Sequence, residues 1–213
     1  MTGKILQGMV VTVLIVIVPT LGNPAMIRSP HIWILVVVGV LASIFQPKYN
    51  PFKSAPDGRD KGTASQIIWS IYLTQLFMLI EASYFRYPGC VAWDNLAVIG
   101  LVLMVSGLAI RTWAVMTLGS FFTWHIATQA DQKVITSGPY AFVRHPGYFG
   151  PFLTYVGTTI FFHSWIACFL SVVFLLFAFL RRIHHEEKEL TVVLGREYAD
   201  YCRAVKRFIP FVW

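Results

Sequence analysis

Charged residues are scarce in this sequence. Only 13% of its 213 residues are charged, whereas 56% are hydrophobic, and the mean hydropathy is +0.63. A water-soluble domain carries about 25% charged and about 45–50% apolar residues, so this chain lacks the polar surface that a soluble fold requires. The composition therefore predicts a membrane protein. Aromatic residues make up 15% of the chain, which excludes intrinsic disorder.

Sequence signatures of disulfide scaffolds, metal sites and soluble cofactor domains are also lacking. The three cysteines are odd in number and form no C-x-x-C, so we expect no disulfide framework. The six histidines form no H-E-x-x-H and no repeated histidine box, and we expect no metal site. No G-x-G-x-x-G motif follows a strand, which argues against a soluble Rossmann-type domain.

Long apolar runs predict where the chain crosses the membrane. A hydrocarbon core about 30 Å thick requires roughly 20 helical residues. The last two runs are separated only by His163 and Ser164, so we expect them to form a tight helical hairpin. The predicted fold is all-α, a polytopic bundle of five to six membrane helices with a cytosolic loop and carboxy-terminal tail, and the first run is expected to be retained rather than cleaved. The apolar runs are Ile5–Leu21, Ile32–Phe45, Ile67–Phe85, Leu96–Ile110, Phe149–Phe162 and Trp165–Leu180.

The cations of this chain are distributed unevenly across the predicted crossings. With six crossings, only Arg28 and Arg86 fall on one side, and the other 15 of the 17 Lys and Arg residues fall on the opposite side. The positive-inside rule makes the richer side cytosolic, together with both termini. The net charge of +7 is therefore interpreted as a topology signal, and we expect no nucleic-acid partner.

The first polar stretch on the cytosolic side is Gly138-Pro139-Tyr140 followed by Arg144-His145-Pro146-Gly147-Tyr148. Pro146 suits the first turn of a helix, and His145 before it is expected to be the helix cap. The free amides of that helix start, beside Arg144, could hold an anion. The alternative is that Arg144 snorkels to lipid headgroups and His145 only caps.

The second polar stretch runs from Arg181 to Leu190 and continues the last apolar helix. Arg182 and Glu186 are four residues apart and lie on one helix face, which in the simpler interpretation is a solvated surface ion pair. Two adjacent acids, Glu186 and Glu187, are not explained by attraction to anionic lipid and suggest a cationic ligand. Arg111 is expected to snorkel from the end of its span, and Glu81 has no predicted role.

Together the two stretches, with an apolar hairpin between them, resemble the RHPxY–hydrophobic–EE signature of the isoprenylcysteine carboxyl methyltransferases and their phospholipid-methylating relatives. The resemblance covers roughly residues 118–213 and is to the short, prokaryotic-type form. It implies amino-terminal transmembrane helices over residues 1–117 and a methyltransferase catalytic region over residues 118–213.

The resemblance implies S-adenosylmethionine as the cofactor, with S-adenosylhomocysteine as product. An acid near the cofactor's cationic groups and a helix start near its carboxylate are electrostatically suited to it. The cofactor-binding residues implied by the family motifs are His125, Gln129, Gln132, Lys133, Val134, Ile135, Tyr140, His145, Pro146, Gly147, Tyr148 and Glu186.

For the acceptor, the resemblance implies a lipophilic small molecule or lipidated peptide, taken from the surrounding lipid. A carboxylate is already ionised at neutral pH and requires an orienting cation but no general base; Arg182 matches the family's substrate arginine, and Arg144 is a second candidate. A prenylcysteine-like carboxylate is the leading prediction. Methylation of a phospholipid amine would instead require a proton acceptor such as His185 or Glu187. More distant alternatives are an NADPH-dependent membrane reductase and a non-enzymatic membrane protein.

Overall fold

The computed structural model describes residues 10, 12–45, 61–123 and 133–209, and these are almost entirely helical. Residues 12–17 are helical, and a parallel bridge between Val143 and Lys206 is the one β-type pairing in the described part of the chain. The named helices are α1 (Pro24–Arg28), α2 (Pro30–Phe45), α3 (Thr63–Ile80), α4 (Asn95–Leu118), α5 (Pro146–Phe161) and α6 (Trp165–Ala204).

Three described helical segments are long and apolar enough to cross a membrane. They are Thr63–Arg86, which is α3 with a π-helical extension, Asn95–Phe121, and the segment that begins α6. Helix α2 is a shorter apolar helix of 16 residues. In α6 the apolar part is residues 165–180, and a polar part, residues 181–204, continues beyond it. The count of five to six crossings stays a prediction.

Helices α4 and α5 pack closely because glycines remove side chains from their contact. A Cβ atom on Gly100 would lie 2.4 Å from the backbone nitrogen of Phe161, and one on Gly107 would lie 2.5 Å from the carbonyl oxygen of Gly150. Neither position can carry a larger residue unless the two backbones separate. Small residues are a common means of bringing membrane helices together.

The buried Glu81 fastens the extension of α3 to the first turn of α6. Its carboxylate accepts hydrogen bonds from the backbone amides of Ile166 and Ala167, at 3.3 and 2.8 Å, and lies 3.0 Å from Nε of Arg86. The first amides of a helix have no partner within the helix and carry partial positive charge, so a carboxylate stabilises this helix end. The structure thus supplies the role that the sequence did not reveal.

A tail segment, residues 205–209, joins the end of α6 to the start of α5. The backbone amides of Arg144 and His145 donate to the carbonyl oxygens of Lys206 and Arg207, at 2.8 and 3.1 Å. Phe208 is fully buried and packs edge-on against Phe149 of α5. The tail segment therefore holds the chain that enters α5, which is where the functional motifs lie.

Candidate functional site

Two cavities lie side by side in the part of the molecule that contains the two polar stretches. The polar cavity lies among the segment 133–135, the start of α5 and the polar part of α6, and the apolar cavity lies among α2, α3, α4, α5 and α6. We call the residues that line both cavities the shared wall: Arg111, Phe122, Thr123, Gly147, Tyr148 and Arg182. The two cavities are therefore adjacent, with these six side chains and backbone groups between them.

The start of α5 has the form that its sequence predicts. Pro146 is the first helical residue, and His145 is the N-cap with φ −122° and ψ 55°, outside the helical region. The carbonyl oxygen of His145 accepts from the amides of Tyr148 and Phe149, whereas its side chain makes no capping bond and turns to Glu187. The predicted helix boundary is confirmed, and the imidazole of His145 contacts Glu187 instead of capping the helix.

Arg182 is buried in the shared wall, with 3% of its surface exposed. Its Nε donates to the hydroxyl of Tyr148 at 3.2 Å, and that hydroxyl donates to Glu186 at 2.5 Å. Its Nη1 donates to the hydroxyl of Thr63 at 2.9 Å, which ties α6 to the first residue of α3. The interpretation of Arg182 and Glu186 as a solvated surface pair is therefore wrong, because the guanidinium lies inside the helix bundle and Tyr148 links it to the acid.

Arg111 occupies the shared wall from the α4 side. Only 8% of it is exposed, its Nη1 donates to the carbonyl oxygen of Gly147 at 2.5 Å, and its guanidinium carbon lies 5.0 Å from the ring centre of Phe122. The prediction that Arg111 snorkels to the membrane surface is wrong. The available signal was an arginine inside an otherwise uncharged apolar helix, which by default marks a functional position.

Glu187 contacts three basic side chains, two just before α5 and one in the tail segment. Its Oε1 lies 3.0 Å from Nε and Nη2 of Arg144 and 3.2 Å from Nε2 of His145, and its Oε2 lies 2.8 Å from Nη2 of Arg207. Burial opposes ionisation of this carboxyl, but the hydrogen bond from His145 and the basic charges outweigh burial and lower its pKa to about 2. Glu187 thus joins the start of α5, the polar part of α6 and the tail segment.

Most of the residues predicted to bind the cofactor or the acceptor come together. Pro146 and Glu187 are not among the described residues that line either cavity, and His125, Gln129 and Gln132 lie outside the described residues. The predicted residues that line the polar cavity are Lys133, Val134, Ile135, Tyr140, Arg144, His145, Gly147, Tyr148, Arg182 and Glu186.

The sequence did not assign several residues at the site, among them Thr63, Arg111 and Arg207. Arg111 was given a lipid-facing role, and Thr63 and Arg207 carried no role at all. Thr63 lies 119 positions from the arginine that it contacts, and Arg207 reaches Glu187 only because the tail segment folds back on the loop. Neither contact leaves a local pattern, so no sequence signal could have found them.

Comparison with known proteins identifies the family of this chain. The sequence profile of the isoprenylcysteine carboxyl methyltransferase family matches residues 98–192. The chain is similar to a probable protein-S-isoprenylcysteine O-methyltransferase of Oryza sativa subsp. indica, with 31% identity over 175 residues that span 79% of this chain and 92% of the relative. It is also 30% identical to protein-S-isoprenylcysteine O-methyltransferase B of Arabidopsis thaliana, over 73% of this chain and 82% of that protein.

The chain belongs to the isoprenylcysteine carboxyl methyltransferase family. It is therefore an integral membrane methyltransferase, which sets aside the reductase and the non-enzymatic alternatives. The human protein-S-isoprenylcysteine O-methyltransferase is 34% identical over 55% of this chain and 42% of its own length. A solved structure of the eukaryotic intramembrane Ras methyltransferase of this family has the same fold, with a TM-score of 0.61 and 21% identity over 88% of this chain and 80% of that one.

Proposed function

We propose that this methyltransferase uses S-adenosylmethionine to methylate the carboxylate of a prenylated cysteine. The observation that carries the proposal is the shared wall: a polar cavity suited to the cofactor lies beside an apolar cavity suited to a lipid chain, with Arg111 and Arg182 between them. The names of the similar proteins, which refer to S-isoprenylcysteine, support this acceptor.

The residues of the polar cavity fit S-adenosylmethionine. Glu186 offers a carboxylate for its cationic groups, and Lys133 and the start of α5 offer positive charge for its carboxylate. A side chain at Gly147 would lie 3.0 Å from Nη1 of Arg111, so glycine keeps this part of the cavity open. When bound, S-adenosylmethionine would supply a methyl group on a positively charged sulfur. The residues that would hold it are those predicted above, including His125, Gln129 and Gln132.

The residues of the apolar cavity fit a prenyl chain that ends in a carboxylate. Its walls are mostly aliphatic and aromatic, and Arg111 and Arg182 are the charged side chains among its described lining residues. Both are positive and both lie at the end that opens toward the polar cavity. A guanidinium offers a planar, two-pronged donor that matches a carboxylate, so these two arginines would orient the acceptor.

The same geometry argues against a phospholipid amine as the acceptor. Amine methylation requires a group that accepts a proton, and His185 and Glu187 were the candidates. Glu187 is bound by three basic side chains, and its pKa of about 2 makes it a poor base at neutral pH. His185 is not among the described residues that line either cavity. A carboxylate acceptor needs neither group.

The chain's own residues would promote the reaction by alignment and by exclusion of water. Tyr148 and Thr63 hold the guanidinium of Arg182, and Gly147 and Phe122 hold that of Arg111. Both cations are fixed before the acceptor arrives, so little reorganisation is required when it binds. The acceptor would enter laterally from the bilayer, and the uneven distribution of lysine and arginine supports a cytosolic position for the polar cavity.

Binding of two matched ligands tests the proposal. The ligands are an S-prenyl thioether carboxylate and its primary carboxamide, which differ in charge at the group that would reach the shared wall. We expect the wild-type protein to prefer the carboxylate by at least tenfold, and Arg182→Gln to remove that preference while S-adenosylhomocysteine still binds. Arg203→Gln removes an exposed arginine, with 74% of its side chain in solvent, and should keep the preference.

Two outcomes would contradict the proposal. One is the absence of saturable binding of S-adenosylhomocysteine to the wild-type protein in isothermal titration. The other is equal affinity of the wild-type protein for the carboxylate and the carboxamide, since two buried guanidiniums at the binding site should distinguish them.

A further inference from the structure

The lipid-facing side of α6 ends in a row of basic residues. Exposed apolar side chains recur every three or four residues along the apolar part of the helix, and they share one face: Ile166, Phe169, Val173 and Phe177, with 44–68% of their surface exposed. Arg181, His184 and Lys188 continue the same spacing on the same face. The face that contacts acyl chains thus becomes basic within one turn of its last exposed phenylalanine.

This basic face is separate from the site described above. Arg182 and Glu186 point from the same turns of α6 into the shared wall and the polar cavity. His184 and Lys188 are exposed, and neither is among the described lining residues of the two cavities. The proposed methyl transfer therefore leaves this group of cations without a role.

Lys61 joins the same group from the chain that leads into α3. Arg181 donates to the side chain of Gln66 and, at 3.0 Å, to the carbonyl oxygen of Lys61. Burial lowers the pKa of His185, and the neighbouring basic groups lower it further. We call this set the basic cluster: Lys61, Arg181, His184, His185 and Lys188.

We propose that the basic cluster binds the phosphate headgroup of an anionic membrane lipid. Its permanent cations are Lys61, Arg181 and Lys188, and they lie where the apolar face of α6 ends, which is the depth of the headgroups. Juxtamembrane lysines and arginines attract anionic lipids. The acyl chains of the same lipid would lie along the exposed apolar residues of α6. A free phosphate ion would gain only the charge, whereas a lipid gains both contacts, so a lipid is the better occupant.

Lipid titration of the purified full-length chain tests this inference. The protein is held in a neutral detergent, and its melting temperature is followed by the fluorescence of its seven tryptophans. The titrants are phosphatidylglycerol, phosphatidylcholine and inorganic phosphate. Lys188→Glu reverses one exposed charge of the basic cluster, and Arg196→Glu makes the same change at an exposed position beyond it on α6.

We expect phosphatidylglycerol to raise the melting temperature of the wild-type protein, and phosphatidylcholine and inorganic phosphate to have little effect. Lys188→Glu should raise about tenfold the phosphatidylglycerol concentration that gives half of this temperature shift, and Arg196→Glu should raise it less than twofold. Arg181→Gln provides a second variant and should also weaken it. An equal response to inorganic phosphate, an unchanged response in both cluster variants, or an equal loss in Arg196→Glu would each overturn the assignment.

Discussion

Replacing Glu187 by Gln tests how the start of α5, the polar part of α6 and the tail segment are held together. The carboxylate accepts contacts from Arg144, His145 and Arg207, and these contacts lower its pKa from an ordinary value of 4.5 to about 2. Each pKa unit corresponds to about 1.4 kcal/mol, so ionised Glu187 contributes roughly 3 kcal/mol to folding. Because the folded pKa is depressed, this stability is present above pH 4.5 and is lost as pH falls toward 2.

The assay is thermal unfolding in a neutral detergent at a series of pH values. At pH 7 we expect Glu187→Gln to lower the melting temperature by about 6–12 °C, from about 2–4 °C per kcal/mol for a chain of this size. The variant should also lose less stability than the wild type between pH 5 and pH 3. Asp200→Asn is the control, because that side chain is 57% exposed and its change should matter little. A pH profile of Glu187→Gln parallel to that of the wild type would refute the reasoning.

Three further predictions follow from the packing. Ile71 lines the apolar cavity, and Ile71→Trp would fill it. The variant should raise the KM for a prenylated acceptor at least tenfold and leave the Kd for S-adenosylhomocysteine within twofold. An unchanged KM would contradict the assignment of that cavity. Phe208→Ala removes a fully buried ring and should cost about 3–5 kcal/mol of stability, whereas Ile209→Ala, at a position 42% exposed, should cost far less. Gly100→Ala would place a Cβ atom 2.4 Å from the backbone nitrogen of Phe161 and should lower the melting temperature. Gly89→Ala is the control, because its Cβ atom would meet nothing within 4 Å. Equal melting temperatures of the two variants would contradict the close packing of α4 and α5.

The helices were predictable wherever a local rule acts. Pro146 at the first position of α5 and His145 as its cap follow from proline stereochemistry, and the structure has both. The apolar runs mark α2, α3, α4 and α6 because a span must be long and uncharged. The two polar stretches were assigned to the same side of the membrane and were expected to form one site together, and residues of both line the polar cavity.

The burial of the two arginines was not predictable from the same rules. The uncharged run ends at Ile110, which favoured snorkelling of Arg111, yet the helix continues to Leu118 and Arg111 packs against Gly147 and Phe122. Arg182 and Glu186 have the spacing of a surface pair, yet Tyr148 stands between them. Both arginines are buried because several helices surround them, and the residue pattern of a single helix does not predict which helices pack against it.

Contacts between residues far apart along the chain were also not predictable from the sequence. Glu81 bonds to the first turn of α6, 85 and 86 positions away along the chain. The tail segment pairs with the chain before α5 through backbone groups, which every residue type possesses. Sequence patterns report the period and polarity of one element, and they carry little information on which distant backbone it meets.

The most direct test of the proposed function is the chemical identity of the methylated product. The purified chain in a lipid bilayer receives S-adenosylmethionine with a labelled methyl group and, in parallel reactions, an S-prenyl cysteine carboxylate and an amino phospholipid. The account predicts label in a base-labile methyl ester of the prenyl cysteine, strongly reduced in Arg182→Gln. Label in the amino phospholipid instead, or an ester yield that Arg182→Gln leaves unchanged, would contradict it.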